Sequence, residues 1–133
     1  MADDHGLSAW PKEDIPDSDR LYMRVHRVFE VDGELQPGVF RDHPPKGEGR
    51  AMSTDWSKYA TPEETLRRAK VPSDNGVIGM VVGDVREIPG LKVEHSPLPE
   101  NRSHTDVFGK KDPEVRLRLL RICRWMIQVP AGN

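Results

Sequence analysis

Several short runs of this sequence alternate apolar with polar residues, the pattern typical of half-buried β-strands. The first run covers residues 21–31, and the Asp32-Gly33 pair after it favours a hairpin turn with a weaker edge strand returning towards residue 40. A later run covers residues 103–108. Together these runs predict an antiparallel sheet.

The most apolar run covers residues 77–88 and begins without alternation, as expected of a strand buried on both faces. It predicts the central strand of the sheet. Pro89-Gly90 suits a type II turn, so residues 91–94 are expected to return antiparallel to this strand. Residues 41–50 are rich in proline, glycine and charge and predict a surface loop.

Apolar residues at helical spacing follow Asp112-Pro113, a favourable helix start, and predict an amphipathic helix over residues 113–128. Thr61 and Glu64 form a capping box that predicts a second, short helix ending before Val71. The polar and aromatic run just before Thr61, residues 52–59, is interpreted as a lead-in to that helix, with its aromatic rings packed on the sheet.

These elements predict an α+β fold with a central antiparallel sheet of four to six strands. One face of the sheet is expected to be covered by the long C-terminal helix and partly by the short one. Residues 1–20 predict an acidic, proline-containing tail, residues 21–129 a single domain and residues 130–133 a second short tail.

The 133 residues carry 20 Lys and Arg against 22 Asp and Glu, so no global attraction to nucleic acid or to an anionic membrane is expected. The single Cys123 excludes an internal disulfide and suits a reducing compartment. No run approaches the roughly 20 apolar residues that cross a bilayer, and the N-terminus does not have the pattern of a secretory signal. A cytoplasmic protein without membrane contact is expected.

Two strands carry candidate catalytic residues on one face, because side chains repeat along a strand with period two. Arg24 and His26 share a face of the first strand, and His104 and Asp106 share a face of the last. A carboxylate two residues from a histidine can orient its ring for general acid or base catalysis, with arginine stabilising charge. The alternative is that these residues form the solvent-facing side of an antiparallel sheet.

A basic and aromatic face of the long helix is the candidate binding surface. It consists of Arg118, Arg121, Arg124 and Trp125, backed by Lys110 and Lys111. Arginine and tryptophan are enriched at protein interfaces, and tryptophan also stacks on nucleic acid bases. Trp10 of the acidic tail is a second candidate contact for a groove of this domain or of another chain. The alternatives are a solvated helix face and a tail that folds back on its own domain.

Metal and nucleotide motifs are missing from the sequence. There is no HExxH, no CxxC and no glycine-rich phosphate fingerprint, so no metal site and no cofactor are predicted.

Two segments, with Met52-Ser53 between them, resemble those of a loosely defined group of short bacterial proteins: Leu21-Tyr22-x-Arg24-Val25-His26 and Asn101-x-Ser103-His104-x-x-Val107-x-Gly109-Lys110-Lys111. The resemblance spans most of residues 21–111 and implies no particular activity. A fainter resemblance is to ADP-ribosyltransferase-like folds. It would give roles to Arg24 or His26, to Ser53 and to Glu94, although the S-T-S triplet and the second acid of that family are missing here.

The sequence favours a protein-binding or accessory module of a bacterial multi-component system. The alternative hypothesis is a small enzyme acting on a nucleotide or RNA phosphate through His104, Asp106, Arg24 and His26. A homo-oligomer formed through a hydrophobic edge is a third hypothesis. Convergence of the polar residues in one concavity would favour the enzyme.

Overall fold

The computed structural model describes residues 10–43 and 50–131. The strands are β1 (Arg20–His26), β2 (Glu30–Val31), β3 (Glu34–Leu35), β4 (Ala51–Trp56), β5 (Asn75–Val81), β6 (Lys92–His95), β7 (His104–Phe108) and β8 (Arg124–Ile127). The helices are α1 (Pro62–Arg67), α2 (Val82–Arg86) and α3 (Pro113–Ile122), with short 3-10 turns at Arg27–Phe29, Pro37–Val39 and Pro72–Asp74. Within the described ranges, no helix is long and apolar enough to cross a membrane.

Six of the strands form one antiparallel sheet in the order β6-β7-β4-β1-β5-β8, while β2 and β3 form a separate hairpin. This confirms the predicted α+β class and its antiparallel sheet. The hairpin turn is also confirmed, because Asp32 and Gly33 both adopt the positive φ values that a tight two-residue turn needs. Thr61 and Glu64 make both hydrogen bonds of the capping box at the start of α1.

The predicted helix over residues 113–128 is wrong in its second half. The helix begins after the Asp112 cap but ends at Ile122, and Cys123 is already extended. The residues that follow form β8, which pairs with the outer edge of β5. Pairing is favoured there because β5 places Gly76 under the β8 backbone, where a Cβ would lie only 2.6 Å from the Ile127 carbonyl oxygen.

The predicted long strand over residues 77–88 is also divided. Only its first part is strand, and β5 lies between β1 and β8 rather than at the centre of the sheet. The residues that follow form α2. Val82 and Val85 of this helix, and Ile88 just beyond its end, follow a spacing of three and are all buried. The predicted hairpin across Pro89-Gly90 is therefore wrong, and β6 pairs with β7 instead.

The segment interpreted as a helix lead-in is the internal strand β4, which pairs with both β1 and β7. Its residues are buried except Ser53, so the strand shows no simple alternation along the sequence. The expectation that both predicted helices cover the same face of the sheet is wrong, because α1 and α3 lie on opposite faces. Thr65 of α1 bonds to Asp55 on one face, whereas Leu119 of α3 packs in the core cluster with Leu21 on the other.

The described part of the predicted acidic tail, residues 10–19, has no helix or strand but packs on the domain. Ile15 belongs to the hydrophobic core, and its carbonyl accepts a bond from Arg86 of α2 at 2.7 Å. The Glu13 amide donates to Nδ1 of His95 at 3.0 Å. The first nine residues, most of the predicted loop over residues 41–50 and the last two residues lie outside the described ranges.

Candidate active-site cleft

A cleft opens where β1 and β4 stop pairing. Their register covers only Leu21–Trp56 and Tyr22–Asp55; beyond it, each strand is paired on its outer side alone among the described residues. The cleft has a volume of about 720 Å³, within the range of small-molecule sites. It is lined by consecutive residues from each strand, including Met23 of β1 and Met52 of β4, so it penetrates between the two strands.

The cleft brings together four residues that the sequence singled out. They are Arg24, His26, Ser53 and His104. Tyr22 and Asp55 close one end, next to His104 of β7, whose Cα partner in β4 is Asp55. The opposite end is formed by residues that the sequence analysis did not select as candidate site residues. They are Phe29, Arg41 and His43.

His104 is held in a defined orientation. Its Nδ1 lies 2.9 Å from the carbonyl oxygen of Ser96, and because a carbonyl only accepts, this bond places the ring proton on Nδ1. In the neutral ring Nε2 then carries the lone pair, and it lies 3.4 Å from the hydroxyl oxygen of Ser53. The cleft thus contains a histidine with an available base nitrogen.

Asp106 does not hydrogen-bond the ring as the sequence analysis expected. Its nearest carboxylate oxygen lies 3.9 Å from Nε2 of His104, and Asp106 is not among the residues that line the cleft. Instead, Asp106 accepts a hydrogen bond from the Ser96 hydroxyl at 2.8 Å. Ser96, which the sequence analysis did not select, therefore links both residues.

Asp55 ties two walls of the cleft together. Its carboxylate accepts from Thr65 of α1 at 2.8 Å and from Asn101 at 2.9 Å, and Arg68 lies 4.0 Å away. Asn101 in turn accepts from the amide of Ser103. Because this buried carboxylate is fully engaged, its main role is to hold α1 and the loop before β7 in place.

The charge of the cleft favours an anion. Three arginines line it against two carboxylates, and one of those carboxylates is the engaged Asp55. Within the described residues, the Arg24 guanidinium makes one hydrogen-bonding contact, a long one of 3.5 Å with the Thr65 carbonyl. Its guanidinium therefore retains donors for a ligand.

His95 and Glu94 lie away from the cleft lining. His95 is buried beside Trp56 and uses both ring nitrogens, accepting from Glu13 and contacting the Arg102 carbonyl at 2.7 Å. Hydrogen bonds from Lys92 and then Lys12 lower the pKa of Glu94. Glu94, to which the ADP-ribosyltransferase resemblance would give a role, is thus not one of the residues that line the cleft.

The predicted basic and aromatic helix face is dispersed. Arg124 and Trp125 lie on β8, and the Trp125 ring packs against the core while its nitrogen donates to the Gly33 carbonyl. Lys111 is buried and bonds to Asp42 at 2.6 Å, so it cannot belong to a surface patch.

Of the other residues predicted for binding, Lys110 and Arg121 are exposed, and Arg118 pairs with Glu114 on α3. The Trp10 ring is covered by the guanidinium of Arg102, 4.6 Å from the ring centroid. These positions do not form one continuous surface with the buried Lys111.

Comparisons with protein-family models, with curated proteins and with solved structures find no match for this chain. Among residues 10–43 and 50–131, no three His, Cys, Asp or Glu side chains are placed to hold a metal ion.

Proposed function

We propose that the cleft between β1 and β4 is the active site of a small enzyme that acts on a nucleotide or RNA phosphate. The observation that carries the proposal is the convergence of Arg24, His26 and His104, from strands far apart in the sequence, on a single concavity. On a flat solvent-facing sheet these side chains would be spread over an open surface instead.

Arg24 and His26 suit the binding of a phosphate. A guanidinium presents paired N–H donors that match two phosphate oxygens, and charge-assisted bonds of this kind are about twice as strong as neutral ones. Both side chains lie on the face of β1 that is turned towards Ser53. A phosphate between the strands would therefore meet donors from both sides.

His104 suits proton transfer at that phosphate. Its Nε2 would take the proton from a water or sugar hydroxyl as that oxygen attacks phosphorus, and would return it to the leaving oxygen as the P–O bond breaks. The bond to the Ser96 carbonyl keeps the proton-accepting nitrogen towards the cleft. Arg24 would offset the charge that develops on the phosphate oxygens.

A screen of nucleoside mono-, di- and triphosphates and a short single-stranded RNA, with products separated by chromatography, tests this proposal. His104→Ala should abolish product formation while ligand binding, measured by calorimetry, persists. Arg24→Ala should weaken binding. Arg67→Ala, on the exposed surface of α1, is the matched control and should change neither. A wild-type protein that binds none of these ligands would overturn the proposal.

A second proposal, an accessory role in binding a protein partner, is favoured by one observation. Leu117 is 48% exposed on α3 between the arginines at positions 116 and 118. A photo-crosslinking residue at position 117 should capture the same partner in repeated experiments, whereas one at position 67 should not. Equal capture at both positions would contradict a specific surface.

A further inference from the structure

The end of the cleft opposite Tyr22 and Asp55 contains a pre-formed cation–π contact between an arginine and an aromatic ring. The guanidinium carbon of Arg41 lies 4.9 Å from the ring centroid of Phe29. The ring is half-buried and lies beside Gly38, where an added Cβ would be 3.5 Å from it, an ordinary contact. Arg41 itself is exposed, and both side chains line the cleft.

Such a pair is suited to a flat, uncharged ring system. A guanidinium is planar and stacks on aromatic surfaces, and bases are recognised by stacking on aromatic rings or on arginine. Because Phe29 already contacts the Arg41 guanidinium, less side-chain entropy is lost when a base stacks on Arg41. A bare phosphate needs no such platform.

The platform is separated from Arg24 by the last residues of β1. Tyr22 marks the closed end of the cleft beside His104, and Arg24 lies two residues along β1. His26 ends the strand, about 13 Å from Tyr22 at the usual rise per residue, and the 3-10 turn that contains Phe29 follows. The platform and Arg24 therefore occupy different parts of one cleft.

We infer that Phe29 and Arg41 form a nucleobase subsite, so that the ligand of the cleft is a nucleoside phosphate rather than a bare phosphate or a sugar phosphate. This inference rests on the proposed function. The base stacks on Arg41 at the end of the cleft opposite Tyr22, and the phosphate lies on Arg24, between His26 and the end closed by Tyr22.

Calorimetric binding of ribose 5-phosphate, of the four nucleoside 5′-monophosphates and of the dinucleotide ApAp tests the subsite. At least one nucleotide should bind about tenfold or more tightly than ribose 5-phosphate, within the range expected for one stacked base. Tighter binding of ApAp than of AMP would indicate an RNA end as the ligand, and weaker binding a free nucleotide. Arg41→Met keeps the aliphatic stem and should remove this advantage, lowering nucleotide affinity much more than ribose 5-phosphate affinity, which loses only the charge of Arg41.

The controls separate the subsite from the phosphate site. Phe29→Leu keeps an apolar contact with Gly38 and should also reduce the nucleotide advantage, whereas Arg24→Ala should weaken all the ligands alike. Equal affinity for ribose 5-phosphate and every nucleotide would overturn the subsite alone. So would an Arg41→Met variant that loses both ligand types equally. Absence of binding by any phosphate would overturn the proposed function together with the subsite.

Discussion

Nε2 of His104 lies 3.4 Å from the hydroxyl oxygen of Ser53, while Nδ1 of the same ring is held by the Ser96 carbonyl. Ser53 is the exposed residue of an otherwise buried internal strand, and it faces the cleft. This relationship places the exposed hydroxyl of an internal strand next to the His104 nitrogen that carries the lone pair.

His104→Ala should leave the fold almost unchanged. The ring is partly exposed, and losing its hydrogen bond to Ser96 and its longer contact with Ser53 should cost about 1–2 kcal/mol of unfolding free energy. Activity should fall by roughly 10²–10⁴-fold, the usual contribution of a general acid or base. Denaturant unfolding and an activity assay on the same preparation check both values. A large loss of stability would return His104 to a structural role.

His95→Ala provides the contrast, because the same substitution removes a fully buried ring. Both ring nitrogens are engaged, and the ring packs edge-on against Trp56 at 5.0 Å between centroids. We expect a loss of about 3 kcal/mol or more, typical of deleting a buried aromatic side chain. A thermal shift no larger than that of His104→Ala would contradict this assignment.

Lys111→Met should be strongly destabilising, although methionine matches the length of the lysine stem. The ammonium group bonds to Asp42 and to the carbonyls of Val107 and Gly109, and removing it leaves a buried carboxylate unpaired. The expected cost is about 3–5 kcal/mol. Urea unfolding measures it.

The double variant Lys111→Met/Asp42→Asn serves as the control for this ion pair. It removes both charges and should recover part of the lost stability, because no uncompensated buried charge remains. Strictly additive losses would show that the two residues do not act as a pair. Burial lowers the pKa of Lys111, which agrees with a cation that depends on its partners.

Gly76→Ala should displace β8 from the sheet. The added Cβ would lie 2.6 Å from the Ile127 carbonyl oxygen and 2.8 Å from the Val129 amide, and backbone atoms cannot move aside as a side-chain end can. We expect a loss of about 3 kcal/mol, the upper part of the range for overpacking. Gly38→Ala is the control, since its Cβ would have an ordinary 3.5 Å contact. Equal thermal stability of the two variants would contradict the β5–β8 pairing.

The elements that could be predicted from the sequence depend on local chemistry. The capping box at Thr61, the Asp32-Gly33 turn and the Asp112 cap each involve residues within a few positions of one another. Strand β8 could not be predicted, because residues 124–127 continue the helical spacing of α3 and become extended only by pairing with distant β5.

Only part of the candidate site, likewise, could be predicted from the sequence. Shared faces on single strands identified Arg24 with His26, because strand side chains alternate. Arg41 reaches the cleft from residues 40–42, which directly follow the 3-10 turn and have no regular structure, so no periodic pattern predicts its position. The Ser96 carbonyl that orients His104 is a backbone group, which residue identity does not reveal.

Glu13→Gln should alter stability in a pH-dependent way. Hydrogen bonds from Lys58 and then Tyr59 lower the pKa of Glu13 below its ordinary value of 4.5. The unfolded chain therefore takes up this proton at a higher pH than the folded one, so the carboxylate stabilises the fold above pH 4.5 and loses this effect as pH falls through the folded pKa. The difference in Tm between wild type and variant should be largest near pH 6 and vanish in stronger acid. A difference independent of pH would contradict the assignment.

The most direct test of the central claim is an NMR titration of ¹⁵N-labelled protein with AMP, following backbone amide shifts along the chain. If the cleft between β1 and β4 is the binding site, the largest changes should occur at Arg24, His26, Ser53 and His104, and Arg24→Ala should weaken them. Changes confined to the exposed residues of α3, or no changes at millimolar AMP, would contradict a nucleotide-phosphate site in the cleft.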